Sequence, residues 1–176
     1  MKRLPLALLL ALVALDAEST IYYSKQEALE LAFGKGAKVE TRSFFLTDMQ
    51  VTEVEKIARV KLDSKLFAFY VGKRENTLLG YAAIESHTVR TKAETLLIVL
   101  TPHGQLNRIY VLAFHEPPEY QPSERWFAQL YGHPLPELDL NRGVDGISGA
   151  TLSSRAALNS ARKVLALYQV LLTQKG

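Results

Sequence analysis

The chain of 176 residues contains no cysteine. That absence excludes disulfides, thiolate metal sites, iron–sulfur clusters, c-type haem attachment and lipidation at an N-terminal cysteine. It is compatible with an oxidising compartment. Histidine is scarce: His87, His103, His115 and His133 are the four present. No two of them stand at the helical spacing of a metal-ligand pair. A strong basic excess is also missing. The formal net charge is +3, and Lys2 and Arg3 supply two of the positives. There is no Lys/Arg run and no basic helix face, so no nucleic-acid partner is expected. The sequence has no Gly-rich nicotinamide fingerprint, no convincing Ser-His-Asp pattern and no paired carboxylates at a credible site. Internal repeats and low-complexity segments are absent as well.

What is present is an ordinary globular composition, 48% hydrophobic and 22% charged, long enough for one domain with a core. The first residues, MKR, are followed by the apolar run LPLALLLALVAL. This run is shorter than the ~20 residues a membrane-spanning helix needs. A basic start before an unbroken apolar run reads as an export signal over residues 1–17, with Ala17 as the last residue removed. Leu15 is larger than the residue preferred two positions before a cut. An uncleaved signal acting as an anchor and a buried N-terminal helix are the alternatives. The expected location is periplasmic or otherwise extracytoplasmic.

Beyond residue 17 the pattern divides into a helical segment, 18–64, and a domain, 65–176. In YYSKQEALELAFG, Ser24 and Glu27 stand at capping-box spacing and Gly34 is a stop, which predicts a short helix. VTEVEKIARVKL repeats the device with Thr52 and Glu55, and Val54, Ile57 and Ala58 form an apolar face. From Lys65 the period changes to strands: KLFAFYVG, TLLGYAAIES, ETLLIVLT and LNRIYVLAF, the last two joined by a turn at 102–105. HEPPEYQP is a proline-rich loop. SERWFAQLYG is a helix capped by Ser123 and closed by Gly132. GHPLPELDLNRG is a second loop. From about Ser153 to Leu172, Ala157, Leu158, Ala161, Val164, Leu165 and Tyr168 recur at helical spacing. The predicted class is α+β, a central antiparallel sheet with helices at both ends and a long C-terminal helix.

The stretch VDGISGATLSS enters that last helix. Gly149 permits a tight or left-handed backbone and Ala150 leaves space. Amides at a helix N-terminus favour an anion such as phosphate. Thr151 Oγ would sit among them, and Ser153 and Ser154 add hydroxyls as caps or as phosphate donors. The same residues also suit a plain N-cap turn. Physical reasoning leaves both readings open.

Asp145, Ser148, Gly149, Ala150 and Thr151 together resemble the flavinylation motif of the FMN-binding domain family. That family includes the flavin subunits of sodium-pumping quinone reductase and of Rnf complexes. The resemblance covers roughly Leu79 to Tyr168. It implies that Thr151 carries FMN covalently through a phosphoester bond, with Asp145, Ser148, Gly149 and Ala150 as recognition positions. It further implies maturation by a magnesium-requiring flavin transferase that uses FAD as donor. Where the family often has a Glu-Thr-Pro-Gly-type loop, this chain has His115 to Tyr120, with Glu and Pro but no glycine. Transmembrane and partner-docking features of a pump subunit are missing, which points to a small free-standing relative.

A tethered flavin is tuned by hydrogen bonds and charge around its ring. Candidates are His87, Arg90 and Lys92, which alternate out of an extended segment; on a strand Arg90 and Lys92 would share one face. The competing reading is a solvated edge strand guarded by charge. Glu116 and Tyr120 would line a ring pocket or a solvent-facing loop. Trp126 fits the core better than a stack on the ring. Arg142 and Arg155 are candidate phosphate partners, Arg155 standing nearer the helix start. No catalytic set emerges, and a carrier needs none. The expectation is an exported electron-transfer flavoprotein that exchanges electrons with redox partner proteins or a membrane electron-transfer complex. The alternatives are a non-catalytic FMN-binding or assembly module and a flavin-dependent reductase of a small acceptor.

Overall fold

A computed structural model describes residues 20–21, 23–140, 144 and 150–173. The export signal expected at 1–17 lies outside the described residues. The fold is α+β, as the sequence predicts. Six antiparallel strands form one sheet: β1 (Thr20–Ile21), β2 (Lys38–Phe45), β3 (Leu66–Arg74), β4 (Thr77–Thr88), β5 (Ala93–Leu100) and β6 (Leu106–Phe114). Their order across the sheet is β1-β6-β5-β4-β3-β2. The five long strands are therefore a simple meander, and two-residue β1 closes the far edge against β6.

Among the described residues, three of the four α-helices begin where a capping side chain satisfies a first-turn amide. α1 (Lys25–Phe33) has the predicted capping box: Ser24 Oγ accepts from the Glu27 amide and the Glu27 carboxylate accepts from the Ser24 amide. α2 (Asp48–Ala58) starts earlier than expected. Its box is Thr47 and Gln50, not Thr52 and Glu55. Thr52 instead returns its hydroxyl to the Asp48 carbonyl. The Glu55 carboxylate binds Lys61 and the Leu62 amide, beyond the end of the helix. α3 (Glu124–Ala128) is capped by Ser123 as predicted but stops short of Gly132. α4 (Thr151–Leu172) begins two residues before the predicted Ser153. The N-terminal segment is also not purely helical, because β2 lies within it and pairs with β3 along its whole length. Its alternation of charge and apolar residues (Lys38, Val39, Glu40) is that of a half-exposed edge strand.

The sheet is covered unequally. On one face α1 packs Ala28 and Phe33 over Ala82, Leu97, Val99 and Leu112. On the other, α2, α3 and α4 build the larger core with Phe69, Ala83, Leu96, Ile98, Trp126, Leu130, Ala161 and Leu165. Trp126 is thus a core residue, against Phe127. Buried Arg162 ties α4 down. Its Nε donates to the Ala58 carbonyl at 2.7 Å, at the C-terminal end of α2, and its Nη1 donates to the Leu138 carbonyl. A cation there meets the negative end of the α2 dipole.

Candidate functional site

The site assembles at the N-terminus of α4. Ala150 is the N-cap and offers no side-chain oxygen, so among the described residues this helix start has no side-chain cap. Thr151 is the first helical residue and is exposed; Ala150 beneath it is buried. Ser154 is buried, and its hydroxyl donates to the Ala150 carbonyl at 2.9 Å. That contact fixes the first turn and points Ser154 inward. Ser153 is buried as well but borders the opening beside Thr151.

Opposite the helix end stands the turn between β4 and β5. Arg90 and Lys92 lie in this turn rather than on a strand, because β4 ends at Thr88 and β5 starts at Ala93. The Val89 amide donates to the Lys92 carbonyl. Glu116, buried just after β6, locks the turn from behind. Its Oε1 accepts from the amides of Arg90 (3.2 Å), Thr91 (2.7 Å) and Lys92 (2.9 Å), and from the Thr91 hydroxyl. These amides, those of Thr91 and Lys92 foremost, hold the Glu116 carboxyl below the usual carboxylate range. The Arg90 guanidinium lies over the Tyr120 ring, 5.0 Å from its centroid. Arg90, Tyr120, Ala150, Thr151, Leu152 and Ser153 line one cleft of about 120 Å³. None of these lining residues is acidic. A helix N-terminus, an arginine and an apolar rim at Leu152 make a cleft that favours an anion with an apolar extension.

Other candidates stand elsewhere. His87, on β4, faces the large core. Its Nε2 is 2.8 Å from Glu94 Oε2 and its Nδ1 is 3.0 Å from Ser160 Oγ, so it joins β4, β5 and the middle of α4. Glu94 is fully buried. A neighbouring tie joins Lys163 to buried Glu85, whose pKa is pushed up by desolvation, Lys163 opposing the shift. Sequence reasoning missed both ties, since residues far apart in sequence supply them. Lys92 is half-buried and does not line the cleft. Exposed Arg155 faces a separate opening with Arg59, Asp139 and Arg162. Arg142, Asp145, Ser148 and Gly149 lie outside the described residues. Among the described residues there is no His/Cys/Asp/Glu cluster suited to a metal ion and no helix long and apolar enough to cross a membrane.

The cleft thus lies at the end of a long helix, beside an antiparallel sheet, in an α+β fold. Residues 91–166 match the family described as FMN-binding domain. The match spans β5, β6, α3 and most of α4 and includes Glu116, Tyr120 and Thr151. It begins later than Leu79 and ends just short of Tyr168. No curated protein and no solved structure matches the chain.

Proposed function

We propose that this chain is an exported electron-transfer flavoprotein that carries FMN on Thr151 through a phosphoester bond. The observation that carries the reading is the cleft that joins exposed Thr151 to Arg90 and Tyr120, with Thr151 and Tyr120 inside the segment that matches the FMN-binding domain. The residues present fit the phosphate end of the cofactor. Among the described residues the α4 N-terminus has no side-chain cap, the cleft has room for a phosphate group, and Arg90 supplies positive charge. When bound, the flavin supplies electron transfer, singly or in pairs. This chain's own part is to hold, orient and charge-balance it.

In the attachment step the Thr151 oxygen bonds to the flavin phosphorus. The phosphoanhydride bond of the donor FAD breaks, and AMP leaves with the hydroxyl proton. A flavin transferase performs this step, and redox partner proteins or a membrane electron-transfer complex use the product. A phosphoester tether prevents loss of the cofactor outside the cytoplasm.

The test is co-expression with an active flavin transferase, read on a denaturing gel under ultraviolet light and by intact mass. The expected band is fluorescent and heavier by FMN minus water. Thr151→Val keeps the shape and removes the nucleophile, so it comes out dark and folded. A labelled Thr151→Val protein would move the site elsewhere; an unlabelled wild type would leave non-covalent binding as the function.

A further inference from the structure

Away from the Thr151 cleft, arginines converge where α4 passes the end of α2. Arg59, Arg155 and Arg162 line one opening of about 290 Å³ together with Asp139, Leu140 and Asn159. None of these residues lines the Thr151 cleft. Arg155, Asn159 and Arg162 share one face of α4, where residues four and seven apart stack. Arg59 comes from the C-cap of α2. Its backbone is left-handed, with φ 55°, and its amide closes the helix on the Glu55 carbonyl. Glycine takes that conformation at lower cost. An arginine there adds strain and brings one more cation to the opening.

The charges at this opening do not balance. Asp139 is the carboxylate among the lining residues. The C-terminal end of α2 adds about half a negative charge. Together these leave the guanidiniums in excess. Neither Arg59 nor Arg155 forms an ion pair among the described residues. Arg162 is buried, so water screens its charge poorly. Its Nε and Nη1 donate to the Ala58 and Leu138 carbonyls. A guanidinium carries further N–H donors, and among the described residues they have no hydrogen-bond partner. Burial, and then the proximity of Arg59, push the Arg162 pKa below its ordinary value, while Asp139 opposes them. An anion seated in the opening would relieve both effects.

We propose that this opening binds the phosphate group of a small organic phosphate monoester. Exposed Arg59 and Arg155 supply forks that pair with phosphate oxygens, and buried Arg162 supplies charge at low dielectric. Asn159 adds a side-chain amide as a further donor. Leu140 and Leu158 give the opening an apolar wall, which suits the carbon part of the ligand. The volume is at the small end for a ligand pocket and so fits a small molecule. An acidic protein surface would meet the exposed arginines but not the buried one. The opening shares no residue with the Thr151 cleft, so the proposal stands apart from the reading of Thr151.

The experiment titrates the full chain with glycerol phosphate at constant ionic strength. Arginine Nε and asparagine side-chain signals are followed by nuclear magnetic resonance, with glycerol and sodium chloride as blank titrants. The expected result is saturable shifts at Arg155, Asn159 and Arg162 with glycerol phosphate and none with either blank. Arg59→Gln and Arg155→Gln change exposed residues, so both variants keep the wild-type amide spectrum elsewhere. Each weakens binding roughly tenfold. Absence of saturation overturns the proposal. So does binding that both substitutions leave intact, and so do shifts confined to Tyr120 and Thr151, which would place the phosphate in the other cleft. Equal shifts with chloride would show an adventitious ion only. Tighter binding of polyglutamate would assign the arginines to an acidic partner. Either result also overturns the proposal.

Discussion

Arg155 was a candidate partner for the phosphate and Arg90 for the flavin ring, and geometry separates them. Arg90 reaches the cleft beside Thr151, whereas Arg155, one helical turn beyond Thr151, faces another opening. Arg90→Gln is therefore expected to lower flavin incorporation roughly several-fold by removing a charge-assisted contact. Arg155→Gln should leave incorporation near wild type; label stoichiometry from the two co-expressions decides. Glu116 acts on the same cleft without touching it. One carboxylate oxygen gathers three successive amides and so sets the turn that presents Arg90. Its native pKa lies below the ordinary 4.5, so the native state favours the ionised form. That stabilisation is fully present above the ordinary value and is lost as pH falls through the native one. Glu116→Gln should cost about 1.5–3 kcal/mol at pH 7, the range for hydrogen bonds to a charged group. The gap between variant and wild type should shrink as denaturant melts are repeated at pH 4 and then pH 3. A gap independent of pH would mean that the carboxylate charge plays no part in holding the turn.

At the scale of elements, α4 is fixed along its length by contacts of different kinds. Ser154 secures its first turn, Ser160 and Lys163 bind its middle to β4, and Tyr168 docks its last third on the β5–β6 turn. Gly104 makes the last contact possible. Its φ is +76°, and a Cβ there would lie 1.9 Å from the Tyr168 ring. Gly104→Ala thus adds backbone strain to overpacking and should cost about 1–3 kcal/mol, read as a lower denaturation midpoint. An unchanged midpoint would show that the Tyr168 ring moves freely. The sequence made much of this level legible. The strands from Leu66 to Phe114, the Ser24 and Ser123 caps and the apolar stripe of α4 all follow from period and capping residues. Two devices escaped it. β2 carries charges at alternate positions because it is an edge strand, so it lacks the apolar density that reveals β3 to β6. The α2 box was misplaced because Thr47-x-x-Gln50 and Thr52-x-x-Glu55 have the same spacing, and only the end of β2 at Phe45 decides between them. At the site, the motif pointed to Thr151. Placing Arg90 on a strand failed because Glu116, distant in sequence, shapes the turn. The His87–Glu94–Ser160 tie is likewise a product of strand register and helix docking, which no local pattern encodes.

For the whole molecule, the unequal cores make stability and function separable. The face bearing α2, α3 and α4 holds most of the buried side chains and carries the cleft. The opposite face holds only α1 over a small cluster. Phe33 fastens α1, and its ring lies so close to Gly72 that a Cβ there would be 2.3 Å away. The cleft touches none of these residues. Phe33→Ala removes the anchor and would cost about 3–5 kcal/mol if the whole fold had to bear it. A nine-residue helix is marginal without its packing, so α1 should instead detach locally and limit the loss. Hydrogen exchange on Phe33→Ala is then expected to show fast exchange in α1, with the amides of α4 and β5 still protected. Co-expression with a flavin transferase should label Thr151 as fully as in wild type. If α4 lost protection together with α1, the two faces would form one cooperative unit. The site would then depend on the sheet as a whole rather than on the larger core alone.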